Sequence, residues 1–192
     1  MGLQFAVFFG SVREKRQGIK YARFLTTQLA ARGHAVSLID PLEYRLPLLD
    51  KMFKEYPAGT APEPLPALAD IIKAADGFLI VSGEYNHSIP PALANLLDHF
   101  LEEWFWRPSA IACYSAGAFG GVRAAMQLRA TLAELGMPSI PTIQAMPKVQ
   151  DQFEDDGTAR DPAHVRRLGR FFDEFEWYAE ALKQARERGV PY

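Results

Sequence analysis

The chain alternates short apolar runs with longer segments in which apolar residues recur every three or four positions. Short continuous apolar runs are typical of buried β-strands, and the longer period is typical of amphipathic α-helices. Strands that alternate with helices indicate a parallel sheet whose strands are joined by crossover helices. The alternation therefore predicts an α/β fold with helices on both faces of the sheet.

Five strands and five helices follow from this pattern. The predicted strands cover residues 3–9, 35–40, 77–82, 109–114 and 138–145. The predicted helices cover residues 19–32, 66–76, 89–106, 122–135 and 163–188. Prolines interrupt the fifth strand, which indicates an edge position, and the proline-rich stretch 41–66 is expected to run over the surface. We predict a flavodoxin-like, three-layer, doubly wound five-stranded parallel sheet, in which ligands bind beyond the carboxyl ends of the strands.

Length and composition fit a single domain over residues 1–192, and a hydrophobic fraction of 48% is enough for a full core. The single cysteine rules out an internal disulfide framework and fits a reducing compartment, so a cytoplasmic location is expected. The net charge of -2 gives no general reason to expect nucleic acid or an anionic membrane as a partner. The apolar stretch near the N-terminus, about seven residues, is too short to span a membrane.

The loop after the first predicted strand, GSVREKRQG, combines hydroxyl, amide and basic side chains with the start of a helix. The free N–H groups and the positive dipole end of a helix attract anions. These features predict a phosphate site, with a solvated basic turn as the alternative interpretation. The candidate ligands are Ser11, Arg13, Arg16, Gln17, Gly18 and Ile19, with further charge from Lys15. The loop has neither a Walker ending nor the GxGxxG pattern, which argues against nucleotide triphosphates and a Rossmann dinucleotide site.

The loop after the third predicted strand, GEYNHSIPP, presents an acid, an aromatic ring, an amide and an imidazole directly after a buried run. Such groups can bind the edge and the face of a flat heteroaromatic ring. In the alternative interpretation Asn86 and Ser88 cap the next helix and Pro90 occupies its first turn, and we adopt that interpretation for Ser88 and Pro90. The candidate ring-binding residues are Gly83, Glu84, Tyr85, Asn86 and His87.

The loop after the fourth predicted strand, SAGAFGG, is rich in glycine. Glycines let a backbone approach a planar ligand closely and point N–H groups at it. A flexible turn is the alternative interpretation. The candidate residues are Ser115, Gly117, Gly120 and Gly121.

Taken in this order, GSVREKRQG, EYNHSIPPALANLLD and SAGAFGGVRAAMQLR resemble the NADPH-dependent FMN reductase family over roughly residues 3–145. The family comprises flavodoxin-like enzymes that include quinone, azo-dye and chromate reductases. The resemblance implies that the first loop holds the FMN phosphate, that residues 84–87 line the isoalloxazine, and that the third loop flanks its other side. Members commonly carry proline where this chain has Gly83, and many have a hydroxyl residue and an asparagine where Arg16, Gln17 and Gly18 stand.

The implied reaction transfers hydride from NADPH or NADH, through bound FMN, to a small-molecule acceptor such as a quinone, flavin, azo dye or metal oxyanion. That chemistry requires no side chain as acid or base, so no catalytic residue is predicted. Cys113 lies in a predicted strand and the four histidines lack ligand spacing, so no metal site is predicted. The alternatives are a flavodoxin-like FMN electron carrier, which is usually strongly acidic, and a receiver-type signalling domain, whose acidic cluster and phosphorylatable aspartate this sequence lacks.

The predicted helix 89–106 is apolar over more than half of its circumference. One sheet face cannot cover so wide an apolar surface, and exposed aromatic patches mark association surfaces. We therefore predict a homodimer, or a dimer of dimers, built on this helix, and the family resemblance implies the same. In the alternative interpretation the C-terminal helix, through Phe171, Phe172, Phe175 and Trp177, covers the excess within one chain.

Overall fold

A computed structural model describes residues 2–192 and is built on five parallel β-strands in the order β2–β1–β3–β4–β5. The strands are β1 (Gln4–Phe9), β2 (Ala35–Ile39), β3 (Gly77–Gly83), β4 (Ser109–Tyr114) and β5 (Ser139–Met146). The strand order confirms the predicted doubly wound parallel sheet, and β5 occupies an edge as its prolines indicated.

The helices cover both faces of this sheet. They are α1 (Gly18–Ala30), α2 (Leu65–Ala74), α3 (Pro91–Asp98), α4 (Val122–Glu134) and α5 (Ala163–Glu187). Helices α1 and α5 pack on one face, whereas α2, α3 and α4 pack on the other. Among residues 2–192, no helix has both the length and the apolar character needed to cross a membrane.

The strand ends position the loops that carry the predicted motifs. Phe9 pairs with Val81, and Gly83 pairs with Tyr114, so β1, β3 and β4 end at nearly the same level. Parallel strands place their carboxyl ends at one edge of the sheet. Since β1 and β3 are neighbours, the order of the strands reverses between them, which is where doubly wound sheets bind ligands.

The prediction of one helix over residues 89–106 is wrong, because the observed helix is much shorter. Helix α3 covers only Pro91–Asp98, and a separate 3-10 turn covers Glu102–Trp104. Residues that precede a proline are disfavoured in the α conformation, so Ile89 cannot begin the helix. Beyond the last turn of α3, the indole Nε1 of Trp104 donates to the carbonyl oxygens of Leu97 and Phe100 at 3.2 and 3.1 Å, and the chain folds back there.

The apolar residues of this segment form part of the core. The exposed apolar surface on which the predicted subunit interface depended is therefore not present. At most 1% of the surface of each of the following is exposed: Leu93, Leu96, Leu97, Phe100 and Trp104. They pack with α2 and with aromatic residues of the stretch 41–66, which covers this side of the molecule. The alternative interpretation is also wrong, because the phenylalanines of α5 pack on the opposite face of the sheet.

Replacing Leu97 tests this burial. Leu97→Ala should lower the free energy of unfolding by about 2–5 kcal/mol, because the substitution leaves a cavity in a close-packed core. Leu48→Ala is the matched control, since Leu48 is 85% exposed, and should change the free energy of unfolding by less than about 0.5 kcal/mol. Denaturant titration of both variants measures the difference. Equal stability of the two variants would contradict the packing of α3 inside the subunit.

Candidate active site

A cavity of about 360 Å³ lies at the carboxyl edge of the sheet, where the three predicted loops converge. Of the predicted site residues, these line it: Ser11, Arg13, Arg16, Gln17, Gly18, Gly83, Glu84, Tyr85 and Ser115. These do not line it: Ile19, Asn86, His87, Gly117, Gly120 and Gly121. The cavity is completed by residues that were not predicted, which are Tyr114, Ala116, Val149 and Gln150.

In the β1–α1 loop, Arg16 is committed to an ion pair. Its guanidinium donates to both carboxylate oxygens of Asp40, at the end of β2, and to the carbonyl oxygen of Ser11 at 3.0 Å. Both side chains of the pair are largely buried, with 13% and 6% exposed. The charge of Arg16 is therefore neutralised inside the protein, and its role is to hold the loop against β2.

Arg13 and Lys15, in contrast, make no ion pair among residues 2–192. Both line the cavity close to the start of α1. The backbone N–H groups of Gly18 and Ile19 also have no hydrogen-bond acceptor within the described chain. Two unpaired cations beside free helix N–H groups form a site suited to an anion.

The hydroxyl group of Ser11 connects this loop to the next one. Ser11 is buried, and its Oγ lies 2.7 Å from the phenol oxygen of Tyr85 in the β3–α3 loop. The hydrogen bond joins the candidate phosphate loop to the candidate ring loop across 74 positions of sequence.

The β3–α3 loop makes a tight turn at Asn86 and His87. Tyr85 and Ser88 exchange backbone hydrogen bonds of 3.0 and 2.9 Å, and the two central residues have φ angles of 51° and 64°. Asparagine tolerates this left-handed conformation better than most residues, which gives Asn86 a structural role. The N–H groups of Asn86 and His87 donate to no acceptor among residues 2–192, so both remain available to a ligand.

The capping roles predicted for Ser88 and Pro90 are wrong. The hydroxyl of Ser88 donates to Gln127 Oε1 at 2.6 Å instead of to a backbone N–H of α3. Pro90 is the residue that precedes the helix, and the first turn begins at Pro91. A proline at the first helical position removes an N–H group that would have had no partner there.

Glu84 caps the helix of the neighbouring loop. Its carboxylate accepts the N–H groups of Arg123 and Ala124, in the first turn of α4, at 3.0 and 3.4 Å, and pairs with the Arg123 guanidinium at 3.2 Å. Burial alone would raise the pKa of Glu84, but these hydrogen bonds outweigh it and lower the pKa below the ordinary value of 4.5. Glu84 is therefore an anion that joins the β3–α3 and β4–α4 loops.

In the β4–α4 loop, the glycines have different roles. Gly120 and Gly121 have φ angles of 64° and 84°, and a Cβ atom at position 121 would lie 2.6 Å from the carbonyl oxygen of Tyr114. These two glycines are needed to close the turn. Gly117 has open space around it, so a ligand can approach its backbone. Ser115 holds the turn in place by accepting the Gly120 N–H at 3.0 Å and donating to the Gly117 carbonyl at 3.1 Å.

Gln150, in the segment after β5, brings an unpartnered polar atom to the cavity wall. Its Nε2 donates to the carbonyl oxygen of Ala116 and to Asp151 Oδ2 at 3.4 and 3.2 Å, whereas its Oε1 is buried without a donor. Since Nε2 faces two acceptors, exchanging the nitrogen and oxygen atoms would not improve the network. A buried acceptor without a partner costs about 1–3 kcal/mol. No motif marks this segment in the sequence, so its part in the site could not be predicted.

The single thiol is unsuited to nucleophilic chemistry. Cys113 is buried in β4, and burial raises the pKa of the Cys113 thiol to about 12, so the thiol is protonated at neutral pH. In the described part of the chain, no three side chains of the metal-ligand type converge.

A flavodoxin-like sheet with an anion-binding loop beside a ring-binding loop defines the class of flavin-binding α/β proteins.

Residues 3–151 match the family described as NADPH-dependent FMN reductase. A quinone reductase from Pseudomonas putida is 32% identical over 162 residues, which cover 81% of this chain and 84% of the relative. A 2-hydroxy-1,4-benzoquinone reductase from a Burkholderia species is 33% identical over 70% of this chain and 73% of its own length. The solved structure of FerB, a flavoenzyme NAD(P)H:(acceptor) oxidoreductase from Paracoccus denitrificans, superposes with a TM-score of 0.75 at 25% identity, covering 93% of this chain and 98% of FerB.

The chain therefore belongs to the NADPH-dependent FMN reductase family. It is an oxidoreductase whose cofactor is FMN and whose electron donor is NAD(P)H. The cavity fits that cofactor, because one end offers unpaired cations and helix N–H groups and the other offers the aromatic side chain of Tyr85. The unpartnered oxygen of Gln150 in its wall is a further sign that the site accommodates a polar ligand.

Replacing Glu84 by glutamine tests the connection between the two loops. Because the pKa of Glu84 is lowered on folding, the ionised carboxylate stabilises the protein above pH 4.5, and this contribution disappears as the pH falls through the lowered pKa. Glu84→Gln should lower the free energy of unfolding at pH 7 by about 1–3 kcal/mol. Its difference from the unmodified protein should shrink below pH 4.5.

Denaturant titrations across this pH range make the measurement. Glu43→Gln is the control, because Glu43 is exposed and makes no ion pair among residues 2–192. A Glu84→Gln effect that is independent of pH, or equal to that of Glu43→Gln, would contradict the assigned role.

Proposed function

We propose that this flavoenzyme reduces quinone-type acceptors. Support for the acceptor class comes from the names of two relatives, a quinone reductase and a 2-hydroxy-1,4-benzoquinone reductase. The observation that carries the proposal is the convergence of an anion site and a ring-binding loop in one cavity, open at the carboxyl edge of the sheet. In this proposal the flavin occupies the cavity and the acceptor approaches through its open side.

We assign the FMN phosphate to the β1–α1 loop. Arg13 and Lys15 supply the charge, and the N–H groups of Gly18 and Ile19 supply aligned donors at the start of α1. Gln17 lines the same part of the cavity and adds an amide. In this assignment Arg16 acts indirectly, because its guanidinium is held by Asp40.

We assign the isoalloxazine to the space between the β3–α3 and β4–α4 loops. Tyr85 provides an aromatic wall. The free N–H groups of Asn86 and His87, in the same loop but outside the cavity lining, are the donors that we assign to the edge of the ring. Ser115 and the open backbone at Gly117 lie on the other side. Glu84 acts by fixing the distance between the two loops.

When bound, FMN supplies the redox chemistry by accepting a hydride from NAD(P)H and passing electrons to the acceptor. The chain contributes orientation and electrostatics. Its unpaired cations compensate the phosphate charge, and backbone donors in the loops favour the negative charge of a reduced flavin. No side chain is required to move a proton.

Steady-state turnover of the purified protein tests this function. The FMN-loaded protein should oxidise NAD(P)H in the presence of benzoquinone, whereas an electron carrier would need a protein partner to be reduced. Arg13→Ala should weaken FMN binding by about tenfold or more, because a charge-assisted hydrogen bond to phosphate is lost. Its activity should therefore fall at limiting FMN and recover at saturating FMN. Failure of the unmodified protein to oxidise NAD(P)H with any quinone would refute the proposed function.

Arg16→Ala is the matched control for Arg13→Ala. The Arg16→Ala substitution leaves the buried carboxylate of Asp40 without a cation, which costs about 3–5 kcal/mol of stability. Thermal unfolding should therefore separate the variants, with a large drop for Arg16→Ala and little change for Arg13→Ala. The opposite result would exchange the roles assigned to the two arginines.

We also propose that the chain forms a homodimer or a dimer of dimers, with the contact surface on α4 instead of α3. Val122 and Met126, exposed by 38% and 53%, lie four positions apart and therefore share one face of α4. Phe119, exposed by 64%, lies in the loop before the helix, and these three residues are the apolar stripe that we assign to the contact. The stripe begins in the β4–α4 loop, beside the cavity. A second copy is the occupant that we infer, because the partner would then cover both the stripe and the open side of the flavin site.

Sedimentation at micromolar concentration tests the assembly. Met126→Glu should produce monomers with weakened FMN binding, because a charge would be buried without a partner. Trp177→Glu is the control: Trp177 is 66% exposed on α5, away from the site, so its replacement should leave the assembly intact. A fully active monomer of the unmodified protein would end this proposal.

We further infer that residues 1–192 act as one FMN-binding domain and that the protein is cytoplasmic. Its one cysteine is buried and unpaired, which suits a reducing compartment.

A further inference from the structure

Tyr114, the last residue of β4, places its side chain under the cavity. The side chain is only 7% exposed, and its ring stacks on Phe9 with a centroid distance of 6.2 Å and an interplanar angle of 17°. The residue lines the cavity, although it is not among the predicted site residues.

Two of the glycines in the predicted site make room for this phenol. A Cβ atom at position 18 would overlap the Cζ and Oη atoms of Tyr114, and a Cβ atom at position 83 would lie 3.1 Å from the same two atoms. Gly18 and Gly83 therefore allow the tip of the ring to lie between the start of α1 and the end of β3. The phenol oxygen consequently lies beside the helix N-terminus that carries the free N–H groups.

The hydroxyl group of Tyr114 has no hydrogen-bond partner of normal geometry among residues 2–192. The hydroxyl of Ser11, which is close by, is already paired with Tyr85 at 2.7 Å. Burial raises the pKa of the Tyr114 phenol, and the neighbouring Tyr85 raises it further. The phenol therefore keeps its proton at neutral pH and can donate a hydrogen bond. The nearby Ser11 hydroxyl opposes this rise in the pKa, and so do Arg16 and Arg13, which places the Tyr114 hydroxyl at the cationic end of the cavity.

We propose that the Tyr114 hydroxyl donates a hydrogen bond to the phosphate of bound FMN, and that Gly18 and Gly83 serve mainly to admit this side chain. The proposal rests on the proposed function, since it concerns the same flavin site. The unpartnered donor, the cations and the helix N–H groups would then surround one anion from three directions.

Tyr114→Phe removes the donor and keeps the ring that packs between the two glycines. The dissociation constant for FMN, measured by flavin fluorescence titration, should rise about tenfold. The phosphorus NMR resonance of bound FMN should also move, since the phosphate loses a donor. The thermal unfolding temperature of the protein without FMN should change little, because the hydroxyl makes no hydrogen bond of normal geometry to a protein group.

Tyr21→Phe is the matched control. Tyr21 is a fully buried tyrosine of the same core cluster, but its hydroxyl donates to the carbonyl oxygen of Gln144 at 3.4 Å, outside the cavity. This variant should bind FMN with unchanged affinity and with an unchanged phosphorus resonance.

The outcomes separate this inference from the proposed function. If the unmodified protein binds no FMN, the function itself fails. If the unmodified protein binds FMN and Tyr114→Phe binds it equally well, the function stands and the role of Tyr114 is refuted. A weaker affinity with an unmoved phosphorus resonance would also overturn the proposal, because the contact would then lie elsewhere on the cofactor.

Discussion

The burial of the central strands on both faces governs the rest of this structure. β3 and β4 are buried at every position, and β1 at all but its first residue, so helices have to cover both sides of the sheet. Crossover helices make the strands run parallel, and parallel strands end at a common edge. Loops that are far apart in the sequence therefore meet there, as the hydrogen bond between Ser11 and Tyr85 demonstrates.

Each loop at this edge is held by a polar contact to another element, and these contacts leave particular groups unpaired. Asp40 takes up the charge of Arg16, and Glu84 takes up the first N–H groups of α4. The groups that remain free are Arg13, Lys15 and the N–H groups at the start of α1. A site whose free donors are already positioned binds its ligand with little reorganisation, which is the contribution that a protein makes to flavin chemistry.

The helix predicted over residues 89–106 shows the limit of apolar periodicity. The pattern correctly marks the segment as rich in buried residues, but it does not reveal what buries them. The predicted subunit surface on this segment includes Trp104, whereas Trp104 lies in the core under α2 and the stretch 41–66. That stretch has no regular period, so its role as a cover depends on contacts between distant parts of the chain. The cavity wall at Gln150 escaped prediction for the same reason.

Local pattern was sufficient for the order of the elements, the parallel sheet and the identity of the three loops, because periodicity and turn chemistry are properties of neighbouring residues. Only the folded chain decides which polar groups in those loops are available. Arg13 and Arg16 are equivalent as letters in a basic loop, yet Asp40, 24 positions further along, neutralises one and leaves the other free. Likewise, the reason for glycine at position 18 follows only from the position of Tyr114, whose ring leaves no space there for a Cβ atom. The availability of a charge or a space depends on which distant side chain the fold brings near, and no local stretch of sequence specifies that distance.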